Sequence, residues 1–235
     1  MRLHTITWGT GDRTALLVHG LMADHRTWRR FGPALAERGY RVVAVDLRGH
    51  GASGRGAGPG EYRPEDYADD LVESVPAGCE LAVGHSLGAL VLARAVERLG
   101  PLRAVYSDPA WHLGAGPAAY RAELFVRGKR LTREMIRRLN PDWTEEDVDA
   151  EADAVRMWDE RTAYALEELT GTDLWPVRPV VPSLVVLADP SLPVSPGNAR
   201  MLAERGFGIR TVTGAGHTVH RDDFDGFVSA LDGWI

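Results

Sequence analysis

One stretch of sequence decides the fold of this chain: residues 81–99, LAVGHSLGALVLARAVERL. It begins with Leu81-Ala82-Val83, a short apolar run that is typical of a buried strand. It ends with an apolar segment rich in small residues, which predicts a helix that packs closely on a sheet. Between the two lies Gly84-His85-Ser86-Leu87-Gly88, which fits the pattern G-x-S-x-G. The stretch therefore predicts a strand, a sharp turn that carries a serine, and a helix.

The two glycines of this motif have a physical explanation. A serine on a sharp strand-to-helix turn has a strained backbone, and side chains two residues before and after it would clash. The turn raises the Ser86 hydroxyl above the sheet edge, and the dipole of the following helix favours an oxyanion there. An ordinary glycine-flanked turn is the alternative interpretation. The predicted strand before the motif and the predicted helix after it favour a catalytic serine.

Short apolar runs alternate with helix-like segments on both sides of this stretch. Further strands are predicted near residues 3–8, 15–18, 42–45, 102–106, 184–187 and 208–212. Further helices are predicted near residues 27–37, 64–75, 197–205 and 224–231. Strand, helix and strand in succession imply a mostly parallel sheet with helices on both faces. The predicted fold class is therefore α/β.

The alternation breaks over residues 111–175, which are helix-like without a strand run. We predict that residues 1–110 and 176–235 form the core and that residues 111–175 form a small helical cap inserted into it. Within the insertion, a basic cluster around residues 127–138 precedes an acidic one around residues 142–153. Two solvated helix faces that pair with each other explain this pattern, and a charged docking surface is the alternative.

Composition excludes several classes of function. The chain has 235 residues and a net charge of −6, which argues against nucleic acid as a partner. No apolar run reaches the roughly 18 residues that suggest a membrane span, so no membrane association is predicted. The one cysteine, Cys79, excludes an internal disulfide and a cysteine-rich metal site and favours a reducing, cytoplasmic location. Cys79 opens the strand that leads to Ser86, so we interpret it as a core residue.

Three further motifs, together with the serine motif, carry a resemblance to a known family. Residues 16–21, LLVHGL, resemble a strand followed by the His-Gly of an oxyanion loop. Residues 46–53, DLRGHGAS, resemble the turn D-x-R-G-x-G-x-S, and residues 214–217, GAGH, resemble a loop that bears a general base. The chain is similar to serine hydrolases of the α/β-hydrolase fold with a G-x-S-x-G nucleophile elbow. The similarity covers most of the chain outside residues 111–175.

This resemblance implies a role for each site residue. Ser86 would be the nucleophile and His217 its general base, with His220 as the competing base. The backbone N–H groups of Leu21 and Leu87 would form the oxyanion hole. No metal and no organic cofactor is implied.

The acid of the triad has two candidates. The family usually takes it from the loop after the strand that follows the cap, where this chain has Asp189, two residues before the expected position, which holds Ser191. Some members take it from the end of the preceding core strand, where this chain has Asp108. We favour Asp108 and keep Asp189 as the alternative. An acid at either position would fix the histidine tautomer and stabilise the imidazolium.

The predicted function is hydrolysis of an ester, lactone or thioester of a small apolar molecule through an acyl-serine intermediate. Met22, Trp111 and Trp158 are the candidate pocket residues, although packing of the cap also explains the tryptophans. The alternatives are a carbon–carbon bond hydrolase or lyase on the same fold, and a ligand-binding receptor with little turnover. The serine argues against dehalogenase and epoxide hydrolase activity, for which this family uses an aspartate. The sequence predicts no oligomeric state.

Overall fold

The computed structural model of the chain describes residues 1–114 and 119–235. Within that part of the chain, seven strands form one sheet in the order β1-β3-β2-β4-β5-β6-β7. Only β1 is antiparallel to its neighbour, and the other pairs are parallel. The strands are β1 (Thr5–Trp8), β2 (Arg13–Val18), β3 (Tyr40–Val45), β4 (Leu81–His85), β5 (Arg103–Ser107), β6 (Ser183–Leu187) and β7 (Gly208–Thr211).

Helices connect these strands. They are α1 (Phe31–Ala36), α2 (Pro64–Ser74), α3 (Leu87–Leu99), α4 (Ala122–Gly128), α5 (Arg133–Leu139), α6 (Glu145–Met157), α7 (Arg161–Glu167), α8 (Pro196–Glu204), α9 (Val219–Asp222) and α10 (Phe224–Ser229). Short 3₁₀ turns lie at His25–Trp28 and Pro59–Glu61. None of the helices in the described ranges is long and apolar enough to cross a bilayer.

The period of two along the strands divides the core into two layers. In β2, Leu16 and Val18 face a cluster that includes α2, α3 and α8, whereas Ala15 and Leu17 face α1, α9 and α10 on the other side. Both layers are buried, as expected for a mostly parallel sheet covered by helices. The α/β fold class predicted from the sequence is therefore confirmed.

Strand order determines where a site can form. After β2 the chain continues to β3 on one side, and β4 then lies on the other side of β2. Ligands of such sheets bind outside the carboxyl ends of the strands at this switch point. Val18 at the end of β2 is in register with Gly84 of β4, so the loops that follow these two strands are neighbours. These loops hold the predicted oxyanion residue Leu21 and the predicted nucleophile.

One predicted helix is shorter than expected. The sequence pattern predicts a helix near residues 27–37, but α1 begins only at Phe31, after a 3₁₀ turn at His25–Trp28. Pro33 explains the difference because it has no N–H to donate to a carbonyl four residues earlier. The series of helical hydrogen bonds therefore cannot continue from the 3₁₀ turn into α1.

The described residues between β5 and β6 form the four helices α4 to α7, joined by loops, and no strand lies among them; residues 115–118 of the predicted cap lie outside the described residues. Ion pairs join α5 to α6: Arg133 pairs with Asp149 at 2.5 Å, and Arg137 pairs with Glu145 at 2.5 Å. The segregated charges thus pair between two neighbouring helices, as expected. The division of the chain into core and cap stays a prediction.

Candidate active site

Ser86 lies at the turn between β4 and α3. Its backbone is in a strained region, with φ 51° and ψ −114°, and its N–H donates to the carbonyl of Ser107 at 3.0 Å. A Cβ on Gly84 would lie 2.5 Å from the carbonyl oxygen of Gly88, and a Cβ on Gly88 would lie 2.3 Å from that of Val18. Real Cβ atoms do not approach backbone so closely. Both glycines are therefore required by backbone contacts, as the motif predicted.

Three described residues around this turn have strained backbone. Among the described residues other than glycine, only Met22, Ser86 and Asp108 have positive φ, at 66°, 51° and 39°. These residues come from three loops, after β2, β4 and β5. Strained backbone of this kind persists where the surrounding structure enforces it, and it clusters at active sites.

The structure brings Ser86, His217 and Asp108 together. Nε2 of His217 lies 3.0 Å from the Ser86 hydroxyl, and Nδ1 lies 2.6 Å from a carboxylate oxygen of Asp108. A carboxylate only accepts, so we assign the imidazole proton to Nδ1, which leaves Nε2 free to accept from the hydroxyl. This arrangement is the one in which a histidine can take the serine proton.

Asp108 is fully buried, and its carboxylate accepts a second hydrogen bond in addition to the one from His217. Its second oxygen accepts the N–H of Ala188 at 3.2 Å, and its own N–H donates to Val186 at 2.8 Å. Asp189 is exposed, and its carboxylate makes no hydrogen bond to His217. The difference follows from the sheet, because β5 is the direct neighbour of β4 and β6 is one strand farther away. The geometry thus favours Asp108 over Asp189.

His220, the competing base, is not brought to the serine. It is buried, its Nε2 lies 2.8 Å from the Thr27 hydroxyl, and its ring stacks on Trp28 at a centroid distance of 4.2 Å. Burial lowers the pKa of His220 well below its usual value, so the ring is neutral.

His85 has a contact that the sequence did not predict. Its Nε2 lies 2.9 Å from the backbone carbonyl of His217, and the two ring centroids are 4.8 Å apart. Because a carbonyl only accepts, His85 donates through Nε2. Burial lowers the pKa of His85 well below its usual value, which keeps the ring in this neutral form. The position directly before Ser86 was the only signal for this residue.

The loop after β2 packs against the serine turn. A Cβ on Gly20 would lie 2.9 Å from His85 Nδ1 and 3.2 Å from Ser86 Cβ, so glycine permits the close approach. His19 holds the loop by donating through Nδ1 to the Gly20 carbonyl at 2.7 Å and by accepting the Leu47 N–H at Nε2 at 2.9 Å. In the described part of the chain, the N–H groups of Leu21 and Leu87 have no protein acceptor. Both donors are therefore available to an oxyanion beside Ser86.

The three predicted pocket residues lie in different surroundings. Met22 is half-buried and packs on α4, where a Cβ on Gly128 would lie 2.8 Å from its methyl carbon. Trp158 is fully buried in the same cluster as Leu21 and Met22. Trp111 is fully buried in the main core, where its ring lies 4.9 Å from that of Tyr106, and this contact assigns it to core packing. Neither tryptophan is among the residues that line the cleft beside His217.

A cleft of about 280 Å³ lies directly beside His217, and the sequence did not predict it. Residues 139–143, from the last residue of α5 into the loop before α6, line one side, and Gly214, residues 216–218 and Asp222 line the other. The indole N–H of Trp143 donates to Asp222 at 2.6 Å across the two sides. Burial raises the pKa of the Asp222 carboxyl.

One group of described residues could hold a metal ion. His4, His25 and Asp46 offer three ligand atoms within 4.8 Å of one another. In the structure, Nδ1 of His4 and Nδ1 of His25 instead lie at hydrogen-bond distance from the Asp46 carboxylate, at 2.9 and 2.8 Å. Asp46 also accepts the N–H of Ala52 at 2.9 Å, which explains the aspartate of the D-x-R-G-x-G-x-S turn as an anchor for the loop.

Cys79 is buried in the main core, as predicted. Burial raises the pKa of its thiol to about 11, so the sulfur is protonated at neutral pH. Cys79 therefore does not act as a thiolate nucleophile, and it packs as a small apolar side chain.

Comparison with known proteins agrees with this architecture. A model of the alpha/beta hydrolase family matches residues 15–230. Epoxide hydrolase B of Mycobacterium tuberculosis is 36% identical over 96 residues, which are 38% of this chain and 27% of that protein. The pimeloyl-[acyl-carrier protein] methyl ester esterase of Sodalis glossinidius is 37% identical over 92 residues, 39% of this chain and 34% of that protein. The chain thus matches about a third or less of the length of these two relatives.

A solved structure resembles the chain over nearly its whole length. N-formylmaleamic acid deformylase from Pseudomonas putida superposes with a TM-score of 0.80 at 24% identity, covering 97% of this chain and 95% of that one. This likeness supports the fold. Because the family model matches residues 15–230, the chain belongs to the alpha/beta hydrolase family.

Proposed function

We propose that this protein is a serine hydrolase that cleaves an ester, lactone or thioester of a small apolar substrate through an acyl-Ser86 intermediate. The observation that carries the proposal is the hydrogen-bonded series from Ser86 through His217 to buried Asp108, with distances of 3.0 and 2.6 Å. Serine is a weak nucleophile at neutral pH and needs a base at this distance, held by a third group.

In the first half of the reaction, His217 Nε2 takes the hydroxyl proton as Ser86 Oγ attacks the acyl carbon. The acyl oxygen becomes negatively charged and accepts hydrogen bonds from the N–H groups of Leu21 and Leu87, which have no protein acceptor in the described part of the chain. Asp108 holds the imidazole and stabilises the imidazolium. His217 then gives the proton to the leaving group, and the acyl group stays on Ser86.

In the second half, His217 takes a proton from water, and the resulting nucleophile attacks the acyl-serine. The same two N–H groups stabilise the second oxyanion, and His217 returns the proton to Ser86 as the acid leaves. The cycle uses the side chains of Ser86, His217 and Asp108, two backbone N–H groups and one water molecule. Leu21 and Met22 lie in the oxyanion loop and are only half-buried, so their apolar side chains suit a small apolar acyl group.

Two curated relatives carry different activities in their names, one an epoxide hydrolase and the other a methyl ester esterase. Ser86 favours the esterase for this chain, since the family's epoxide hydrolases use an aspartate at the nucleophile position. We further propose that the enzyme acts on a small molecule in the cytoplasm, in line with a single buried cysteine.

A serine-directed fluorophosphonate probe and a series of chromogenic esters test the proposal. The wild-type protein should be labelled on Ser86 and should release the chromophore from short-chain esters. The Ser86→Ala variant is the matched control, because it keeps the fold and removes the nucleophile. A wild-type protein that resists the probe and cleaves none of the esters would contradict the proposal and favour a receptor.

A further inference from the structure

Two histidines and an aspartate meet at one edge of the sheet, outside the triad. β1 and β3 are antiparallel and Thr5 is in register with Val45, so the next pair of residues is His4 and Asp46. The N–H of Asp46 donates to the His4 carbonyl at 2.9 Å, which continues the series of hydrogen bonds between the strands. His25 reaches the same carboxylate from the start of the 3₁₀ turn after β2. The fold therefore brings three distant segments together at Asp46.

The side chains of this cluster offer atoms that bind transition-metal ions. Nδ1 of His4, Nδ1 of His25 and a carboxylate oxygen of Asp46 all lie within 4.8 Å of one another. Ligand atoms about 2.0–2.1 Å from a tetrahedral Zn²⁺ lie about 3.3 Å apart, and the two nitrogen–oxygen distances here are 2.9 and 2.8 Å. Small rotations of the two imidazoles therefore place the three atoms around one ion.

The Asp46 carboxylate is held in place independently of the two imidazoles. It is fully buried, and it accepts the backbone N–H groups of His25 at 2.8 Å and Ala52 at 2.9 Å. Outer donors of this kind orient a ligating group at a metal site. The side chains of His4 and His25 are 39% and 21% exposed, so an ion and its water ligands can reach them from solvent.

The charges around the cluster favour a cation. The neighbouring guanidinium of Arg26 pairs with Asp24 at 2.7 Å and with Asp153 at 3.0 Å, so carboxylates match its charge. Burial lowers the pKa of His19, which also lies near Asp46, and its ring is therefore neutral. The negative charge of Asp46 is thus left to attract a positive ion.

Hydrogen bonds alone also join the three side chains, so the metal-free protein keeps them in place without an ion. Each imidazole then donates Nδ1–H to the Asp46 carboxylate, because a carboxylate only accepts. A neutral histidine carries its proton on either nitrogen. When the proton lies on Nε2, the lone pair of Nδ1 is free to bind a metal. The metal-free and metal-bound forms therefore differ by a change of tautomer and a small rotation of each ring.

We propose that His4, His25 and Asp46 bind one Zn²⁺ ion, with water completing its coordination. Two imidazole nitrogens with one carboxylate oxygen suit Zn²⁺, whereas Mg²⁺ and Ca²⁺ prefer oxygen ligands alone. The ion would join the segment before β1 to the segments after β2 and β3, so its expected effect is on stability. The site takes no part in the proposed acyl transfer, and the inference stands independently of that function.

Calorimetric titration with Zn²⁺ tests the site on protein treated with EDTA, at about pH 7.5, where histidines are mostly neutral. The wild type should bind one ion per chain, and excess Zn²⁺ should raise its Tm, because a ligand that binds the folded state stabilises it. Zn²⁺ should also protect His4 and His25 from modification by diethyl pyrocarbonate, as located by peptide mapping. This last measurement needs no variant.

His4→Gln and His25→Gln each remove one nitrogen ligand and leave Asp46 as the anchor of its loop. Each should weaken Zn²⁺ binding by about tenfold or more and reduce the rise in Tm. The matched control is His112→Gln, which removes an exposed imidazole elsewhere and should bind as the wild type does. His217→Gln should also keep the binding, since it tests whether the ion goes to the triad instead. Circular dichroism checks that each variant is folded.

Three outcomes would overturn the inference. The first is a wild-type protein that binds no Zn²⁺ and shows no protection of His4 and His25. The second is binding that is unchanged in both His4→Gln and His25→Gln. The third is binding that is lost in His112→Gln or His217→Gln, which would place the ion elsewhere. Labelling of Ser86 tests the proposed function separately, so failure of one proposal leaves the other standing.

Discussion

Replacing Asp108 by asparagine changes one charge at the centre of the site and keeps the size of the side chain. In the wild-type protein, the buried carboxylate accepts Nδ1–H of His217 at 2.6 Å and the N–H of Ala188 at 3.2 Å. An asparagine has only one acceptor oxygen. If that oxygen stays with Ala188, the amide N–H₂ faces His217 Nδ1 and forces the imidazole proton onto Nε2. The histidine can then no longer accept the Ser86 proton.

The expected loss is large because the variant removes both the correct tautomer and the charge opposite the imidazolium. A comparable substitution in serine proteases lowers kcat by about 10⁴-fold. We therefore expect kcat to fall by about 10³- to 10⁴-fold, which is about 4 to 5.5 kcal/mol at 1.36 kcal/mol per tenfold. KM should change little, because Asp108 is buried behind His217 and away from the substrate.

The assay is steady-state hydrolysis of a short-chain p-nitrophenyl ester, with thermal melting to show that the variant is folded. Asp189→Asn is the matched control, since it makes the same change in an exposed residue one strand farther away. We expect it to retain kcat within about twofold, as for ordinary surface substitutions. A larger loss of kcat in Asp189→Asn than in Asp108→Asn would refute the reasoning.

Three further predictions concern the support of the site and the stability of the fold. Gly88→Ala should destabilise the protein by about 3 kcal/mol or more, because its Cβ would meet the Val18 carbonyl oxygen at 2.3 Å; a wild-type urea midpoint would contradict this. His85→Phe should lower kcat about tenfold with little change in KM, because it removes the hydrogen bond to the His217 carbonyl, whereas wild-type kinetics would exclude a positioning role. Burial alone would lower the pKa of His25, but the hydrogen bond and charge of Asp46 raise it above its usual value. The stability that His25 contributes should thus be complete below about pH 6.5 and lost as pH rises through the folded-state pKa. Urea unfolding of the wild type and His25→Gln across pH measures this difference, and a difference that grows with pH would contradict the assignment.

The parts of the site that depend on neighbouring residues in the sequence could be predicted. A G-x-S-x-G turn requires its glycines for backbone reasons, and the distances at Gly84 and Gly88 bear this out. Asp108 was favoured because it ends the strand after the serine helix, and that strand proved to be the neighbour of β4. A motif at a strand end therefore carries three-dimensional information, because parallel strands bring their carboxyl ends to one edge.

The features that the sequence did not predict depend on contacts between distant segments. The cleft needs Trp143, which lies between β5 and β6, to meet Asp222, and these residues are separated by 79 positions. Trp111 illustrates the same limit, because its burial against Tyr106 depends on how the chain turns after β5. The sequence alone does not distinguish a tryptophan that lines a pocket from one that fills a core, because both roles use the same large aromatic side chain.

The central claim is that Ser86 becomes acylated during turnover, and intact-mass spectrometry of the acid-quenched reaction tests it most directly. Mixing the protein with excess p-nitrophenyl butyrate should give a species heavier by one butyryl group, and peptide mapping should place that group on Ser86. The Ser86→Ala variant should show no such species. Rapid ester hydrolysis with no acylated protein, or with the acyl group on another residue, would contradict the account.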